Sequence, residues 1–374
     1  MIPFNKPYIA GTEIQYIEEA IASGKLSGDG PFSKKCQRFF EERYGFHRSL
    51  LTPSCTDALE MAAILCDVGP DDEVIAPSFA FTSTVNAFAL RGAKIRFADS
   101  SDLNPNIDVG HLSALITNKT RAIVLVHYAG IACDMGEIMK LADSHGIPVI
   151  EDAAQAIDSF HNSRPLGTFG PLSAMSFHET KNIVAGEGGL LCINDPAFVE
   201  RAEIIREKGT NRAAFFRGEI DKYGWVDIGS SFLPPEIVTA FLYAQLEHID
   251  EIQRMRTALW DTYFDLLVDL EKRGCIQLPK LPPYASNNGH MFYLTCENLP
   301  TRTELIEHLK SRGIMAVFHY QPLHSSEYFR PRHTGQVLAN ADRYADTLVR
   351  LPLYPGLQFA QVSEICDAVR EYFV

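Results

Sequence analysis

Three short segments carry residue types that can do covalent chemistry, and each follows an apolar run. The segment Ser176-Phe177-His178-Glu179-Thr180-Lys181-Asn182 precedes Gly186-Glu187-Gly188-Gly189 and sets a lysine in a turn. An amine there can form a Schiff base once it loses its proton, and partial burial beside a cationic group lowers its pKa toward that state. In Glu151-Asp152-Ala153-Ala154-Gln155, Asp152 stands directly after an apolar strand. A carboxylate in that place can hold a protonated pyridine nitrogen, so that the ring accepts electrons from a carbanion. It can equally cap a helix. In Thr52-Pro53-Ser54-Cys55-Thr56-Asp57-Ala58-Leu59, Thr56 and Asp57 open a predicted helix. Free backbone N–H groups and the helix dipole suit a phosphate there, although an N-cap by Ser54 or Thr56 accounts for the same residues. Ser176 can bind phosphate or simply end its strand. Taken together, a phosphate-binding turn, a later carboxylate and then a lysine form one ordered set. His178 and Glu179 make no His-Glu-x-x-His pattern, so no metal site is expected.

The elements that must position these residues follow an α/β rhythm. Leu50-Leu51 precedes a helical pattern over residues 56–66, and Glu73-Val74-Ile75-Ala76 precedes another over 82–90. Lys94-Ile95-Arg96-Phe97 precedes a helix over 109–116, and Ala122-Ile123-Val124-Leu125-Val126 one over 135–145. Ile147-Pro148-Val149-Ile150 follows and ends in Glu151-Asp152. Such alternation predicts a largely parallel sheet between helices. Such sheets bind ligands at the carboxyl ends of their strands. Two further strands, over 172–177 and 189–193, have little helix between them and predict a mixed edge. A helical segment over 198–208 leads into a polar stretch over 209–218. A second helical segment over about 236–270 contains the expected domain change. We therefore expect a large domain over residues 1–250 and a smaller α+β domain over 251–374.

The bulk composition narrows the function. The chain has 374 residues, 46% hydrophobic and 22% charged, the balance of an ordinary globular protein. Its formal charge of −13, from 34 basic and 47 acidic residues, argues against a nucleic-acid partner held by a broad basic surface. A few local cations still suffice for an anionic small substrate. The 8 cysteines are scattered with no Cys-x-x-Cys, so reduced thiols are the simplest reading. Met1-Ile2-Pro3-Phe4-Asn5-Lys6 carries no apolar signal segment, and no run approaches a membrane span. A cytoplasmic protein without a membrane partner is expected.

At these residues the chain resembles the DegT/StrS sugar aminotransferases of the pyridoxal-phosphate fold type I. The strongest marks are Gly69-Pro70-Asp71-Asp72-Glu73-Val74-Ile75-Ala76-Pro77-Ser78, Val149-Ile150-Glu151-Asp152-Ala153-Ala154-Gln155-Ala156 and the segment around Lys181. Gly28-Asp29-Gly30-Pro31 matches the group too. The resemblance implies that Lys181 forms the Schiff base with the cofactor and then shuttles protons. It implies that Asp152 holds the ring nitrogen, that Gln155 lies near the ring's phenolic oxygen, and that Phe81 stacks on the ring. Thr56, Asp57 and Ser176 would hold the phosphate, the first two partly through backbone N–H groups. On its residues alone, Phe81 can equally belong to the core with Phe79 and Phe88.

Within the group, four segments point to the branch that aminates dTDP-4-keto-6-deoxyglucose to the galacto-configured 4-amino sugar of enterobacterial common antigen. They are Val126-His127-Tyr128-Ala129-Gly130, Arg206-Glu207-Lys208-Gly209-Thr210-Asn211-Arg212, Asp227-Ile228-Gly229-Ser230-Ser231 and Met315-Ala316-Val317-Phe318-His319-Tyr320. The resemblance implies a nucleotide-sugar substrate, an amino-acid donor such as L-glutamate, and a homodimer with shared active sites. Lys208 and Arg212 are candidates for the substrate diphosphate, and Tyr223, His319 and Tyr320 for the sugar. One departure stands out. Many members carry an Asn-Tyr-Arg-like segment before the Glu236-Ile237 helix, and it reaches into the neighbouring subunit. Here Ser231-Phe232-Leu233 takes its place, leaving Ser231 as a candidate for that contact.

Overall fold

A computed structural model describes every residue except 334 and 335. In chain order the first half comprises α1 (Glu13–Ala22), α2 (Pro31–Tyr44), β1 (Arg48–Thr52), α3 (Cys55–Leu65), β2 (Glu73–Pro77), α4 (Thr82–Ala89), β3 (Lys94–Ala98), α5 (Val109–Leu115), β4 (Thr120–Val126), α6 (Met135–His145) and β5 (Val149–Asp152). A small hairpin, β6 (Phe160–His161) and β7 (Arg164–Pro165), leads to β8 (Leu172–Ser176) and β9 (Gly189–Ile193). Then come α7 (Val199–Arg206), α8 (Arg212–Phe216), α9 (Glu236–Glu247), α10 (Ile249–Lys272), β10 (Phe292–Thr295), α11 (Leu299–Ser311), α12 (Ala339–Thr347), β11 (Leu348–Leu351) and α13 (Phe359–Tyr372).

Seven strands form one sheet in the order β1-β9-β8-β5-β4-β2-β3. The pairs β2–β3, β2–β4, β4–β5 and β5–β8 are parallel, while β9 runs antiparallel to both β8 and β1. The mixed region expected around residues 172–193 is therefore real, but the reversed strand lies one place in from the edge. The fold is an α/β arrangement with a mixed, mostly parallel sheet between helices.

Both faces of the sheet are covered, which explains the unbroken apolar runs of its strands. Side chains alternate between faces along each strand. Val74 and Ala76 join α3 and α4 in one core, while Ile75 points the other way, into a core with Phe40, Ile138 and Leu246. A third core lies between α10, α11, α13 and the β10–β11 pair. α10 serves two of them: Ile249 and Ile252 pack beneath the sheet, while Leu259, Trp260, Tyr263 and Leu267 pack in the third core. Two other segments cross the expected boundary in space. Ile2 packs in the third core, and Leu338, Ala341 and Tyr344 pack against the sheet. We keep 1–250 and 251–374 as a proposed division on that understanding. Where one helical segment was expected over 236–270, two form, α9 and α10, separated at His248. The polar stretch contains the five-residue α8, too short to leave a periodicity.

Among the described residues, no helix is long and apolar enough to cross a membrane.

Candidate functional site

The parallel strands all end on one side, and the reactive residues gather there. β4, β5 and β8 finish abreast, with Val126 opposite Asp152 and Asp152 opposite Ala174. Ser176 closes β8, and the chain then loops through Lys181 before returning along β9. Because β9 is antiparallel, no crossover helix is needed, so the lysine loop stays over the strand ends. Ser54, Thr56, Phe81, Ser83, Thr84, Asp152, Gln155, Ser176, Lys181, His319 and Tyr320 line one cavity of about 560 Å³, together with His290 and Arg350.

The two acids at the end of β5 face opposite ways. Glu151 is fully buried and accepts hydrogen bonds from the N–H groups of Gly167, Phe169 and Gly170, with His127 Nε2 at 3.0 Å. All its acceptor capacity serves the fold. Asp152 faces the cavity, accepting from Thr84 Oγ1 at 2.6 Å and from the Ala154 N–H at 3.1 Å. Burial pushes its carboxyl above the ordinary value, against the hydrogen bonds from Thr84 and Ala154 and the charges of Lys181 and His127. Such an acid gains most from a cationic partner placed beside it.

Burial holds the Lys181 amine below its ordinary value, against Cys55 and Asp152, and the Arg350 charge pushes the same way as burial. A lowered amine spends more time unprotonated, the nucleophilic form. The next residue fastens the loop. Asn182 donates to Gln253 at 2.8 Å and to the Asn288 carbonyl at 2.9 Å, and its Oδ1 lies 2.8 Å from His290 Nδ1.

At the other end of the cavity two helix N-termini meet. Thr56 Oγ1 donates to Ser83 Oγ at 2.8 Å, joining the first turns of α3 and α4. The early N–H groups of a helix have no partner within it and point at an anion. Gly189 lets β9 come close: a Cβ there would lie 2.3 Å from the Ser54 carbonyl. Asp57 sits in the cap of α3. Its N–H is taken by Ser54 Oγ at 3.1 Å, and its carboxylate accepts from the same hydroxyl at 3.0 Å. It does not line the cavity. Ser54 is thus the helix cap, and Asp57 completes that cap.

The core alternative for Phe81 is set aside by its position. Phe79 and Phe88 are buried, whereas Phe81 is 56% exposed, lines the cavity and has its ring centroid 6.1 Å from that of Tyr320. Gln155 accepts from the Ala129 N–H at 2.6 Å and donates to the Tyr320 hydroxyl at 3.1 Å. His319 stacks on Tyr320 with centroids 3.5 Å apart, and its Nδ1 lies 2.6 Å from the Tyr128 hydroxyl. Burial, then the charges of Arg350 and Lys181, keep His319 well below its usual value and so neutral near pH 7.

Lys208, Arg212 and Ser231 lie elsewhere, around a second cavity shared with Asp29, Arg48 and Arg206. Tyr223 lines neither cavity and packs on Phe215, with the Arg212 guanidinium 5.9 Å from its ring. Within one chain these four do not reach Lys181. Thr84, His290 and Arg350 were missed from sequence. Only Arg350 left a signal, as a charge inside the apolar run Leu348-Val349-Arg350-Leu351.

Comparison with known proteins agrees with this geometry. The model of the DegT/DnrJ/EryC1/StrS aminotransferase family matches residues 7–370. The spore coat polysaccharide biosynthesis protein SpsC of Bacillus subtilis (strain 168) is 31% identical, over 99% of this chain and 96% of its own length. The aminotransferase TlmJ from Streptoalloteichus hindustanus superposes with a TM-score of 0.91 at 28% identity, covering 100% of this chain and 99% of its own. DesV from S. venezuelae does so with a TM-score of 0.90 at 29% identity, covering 99% and 98%.

The cofactor this implies is pyridoxal phosphate, and the cavity fits it. A buried acid short of a cation, a buried amine with a lowered pKa, an aromatic ring facing open space and a pair of helix N-termini match the ring nitrogen, aldehyde, ring face and phosphate respectively. With Lys181 and Asp152 lining one cavity, the chain belongs to the DegT/DnrJ/EryC1/StrS aminotransferase family.

Proposed function

We propose that the enzyme moves an amino group from L-glutamate to dTDP-4-keto-6-deoxy-D-glucose, giving dTDP-4-amino-4,6-dideoxy-D-galactose for a surface polysaccharide. The observation that carries the transamination reading is the meeting of Lys181 and Asp152 in one cavity, with burial pushing each toward its uncharged form. The sugar reading draws support from the family and from the polysaccharide role in the name of SpsC. The finer substrate assignment rests on the segments around residues 126–130, 206–212, 227–231 and 315–320.

Pyridoxal phosphate, when bound, supplies an aldehyde for amine exchange and a ring that accepts an electron pair. With that group bound, Lys181 would supply the neutral amine that holds it and would carry a proton between the donor's α-carbon and the sugar carbon. A single group thus serves as base and acid. Asp152 would hold the ring nitrogen and keep it protonated, its carboxylate fixed in place by Thr84. Phe81 would stack on the ring and Gln155 would lie near its phenolic oxygen, while Thr56, Ser176 and the first turn of α3 would hold the phosphate.

We assign Lys208, Arg212, Tyr223 and Ser231 to the substrate of a neighbouring subunit in a homodimer. They sit on a surface that also exposes Trp225 (82%) and Phe216 (69%), apolar area that a partner would cover. The reaction is placed in the cytoplasm, in keeping with eight free cysteines.

The test is incubation of the holoenzyme with L-glutamate and dTDP-4-keto-6-deoxyglucose, with NMR of the product. A 4-amino-4,6-dideoxygalactose supports the assignment. A 3-amino or gluco-configured product corrects the sugar. Absence of any amine transfer refutes the reaction.

A further inference from the structure

Asn182, the residue after Lys181, decides which nitrogen of a buried histidine carries the proton. Its amide donates to Gln253 Oε1 at 2.8 Å and to the Asn288 carbonyl at 2.9 Å, so both N–H bonds are spent. Its Oδ1 can only accept, and His290 Nδ1 lies 2.8 Å from it. The imidazole therefore donates through Nδ1–H. The backbone fixes the ring as well: the His290 N–H bonds to Asn288 Oδ1 at 3.0 Å, and the His290 carbonyl accepts from Arg256 at 2.7 Å. Burial, followed by the charges of Lys181, Arg256, Arg350 and His319, holds the imidazole well below its usual value, so it is neutral near pH 7. A neutral ring with its proton on Nδ1 has a bare lone pair on Nε2.

His290 is 6% exposed and lines the Lys181 cavity, so that lone pair finds its donor there or goes unpaired. Of the charges around the ring, that of Lys181 acts on it most strongly. A free lysine amine has two N–H bonds and one lone pair, and only the lone pair can take a proton from carbon. An acceptor for one N–H therefore decides where the lone pair points. Asp152 also faces Lys181, but its carboxylate is committed to Thr84 and Ala154 and, in the transaminase reading, to the ring nitrogen. We propose that His290 Nε2 accepts an N–H of the free Lys181 amine and so turns its lone pair toward the substrate carbon. The inference rests on the transaminase reading above. His290 is a positioning residue in that scheme, because it acts through Lys181. One loop then supplies both the base and, through Asn182, the tautomer of the residue that aims it.

Two measurements test this, one without turnover. In the cofactor-free protein the amine is free, and ¹⁵N NMR of histidine-labelled wild type should show one ring with Nε2 unprotonated at neutral pH, assigned by its loss in His290→Asn. Lys181→Ala removes the donor and should shift that Nε2 resonance. A ring protonated on Nε2, or a resonance that Lys181→Ala leaves in place, overturns the assignment. The second measurement follows the glutamate half-reaction of the holoenzyme by cofactor absorption, with hydrogen or deuterium on the α-carbon. His290→Asn keeps a donor toward Asn182 and removes the acceptor at Nε2. Its proton transfer should be about 10-fold slower or more, with a larger isotope effect and the same glutamate concentration for half-maximal rate. His290→Gln, which can present an amide oxygen in place of Nε2, should recover part of the rate. A His290→Asn enzyme as fast as the wild type would leave His290 only its bond to Asn182 and overturn the proposal. A wild-type holoenzyme inert to every amino acid would sink the transaminase reading itself, whereas the NMR result would still say whether the contact exists.

Discussion

Thr84 Oγ1 donates to Asp152 Oδ2 at 2.6 Å, from the first turn of α4 to the end of β5. The bond fixes the carboxylate's direction and favours its charged form. Thr84→Val keeps the shape and removes the donor. A hydrogen bond to a charged group is worth about 1.5–3 kcal/mol, so cofactor affinity should fall about tenfold or more. Titration of the apoprotein with pyridoxal phosphate measures this, and an unchanged affinity would count against Thr84.

Asp152 also predicts an effect of pH on stability. Its folded pKa is raised by burial above the ordinary value of 3.8, so between those two values the folded state binds more protons than the unfolded. The charged acid is therefore a burden on the cofactor-free protein above the raised pKa, and protonation relieves it as pH falls. Cofactor-free Asp152→Asn should be more stable than the wild type at neutral pH. The gap should close as the pH drops through the raised pKa toward 3.8. Thermal melts across that range test the sign. A wild type that is the more stable at neutral pH would contradict it.

Gly189 allows β9 to touch the start of α3. Gly189→Ala would place a methyl 2.3 Å from the Ser54 carbonyl carbon and oxygen and 2.4 Å from the Cys55 nitrogen. Backbone must shift to admit it, and the helix start that we assign to the phosphate shifts too. Overpacking of this kind typically costs about 1–3 kcal/mol. Weaker cofactor binding together with a lower denaturation midpoint is expected. Normal values of both would show that the contact relaxes freely.

Glu236 predicts a defect far from the chemistry. Its buried carboxylate accepts from the N–H groups of Gly30, Phe32 and Ser33 and from the Ser33 hydroxyl, so an acid on α9 caps α2. Glu236→Ala strands several buried donors. Each stranded donor costs about 1–3 kcal/mol. Denaturant unfolding should show a large loss of stability, and Glu236→Gln a smaller one.

These cases show what sequence could and could not reveal. The strands and most helices were legible because their apolar periods are local. Lys181 and Asp152 were legible because each follows a strand, and strand ends collect ligands in such sheets. Asp57 reads two ways from sequence, because a reciprocal cap with Ser54 and a phosphate turn use the same residues. Thr84 could not be found, since its partner lies 68 positions away and nothing local marks the pair. Arg350 showed only as a charge inside the apolar run Leu348-Val349-Arg350-Leu351, with nothing local to tie it to the cavity it lines. Lys208, Arg212, Tyr223 and Ser231 resemble active-site residues by family pattern, yet a single chain sets them apart from Lys181.

The course of α10 has a mechanical meaning. One unbroken rod of 24 residues is rooted beneath the sheet at Ile249 and Ile252 and clasped by the small core from Leu259 onward. Neither core can melt without stripping one end of that rod. Heat should therefore take the chain apart in a single cooperative step, and a cut made within the rod should leave two pieces that each fail to hold their shape.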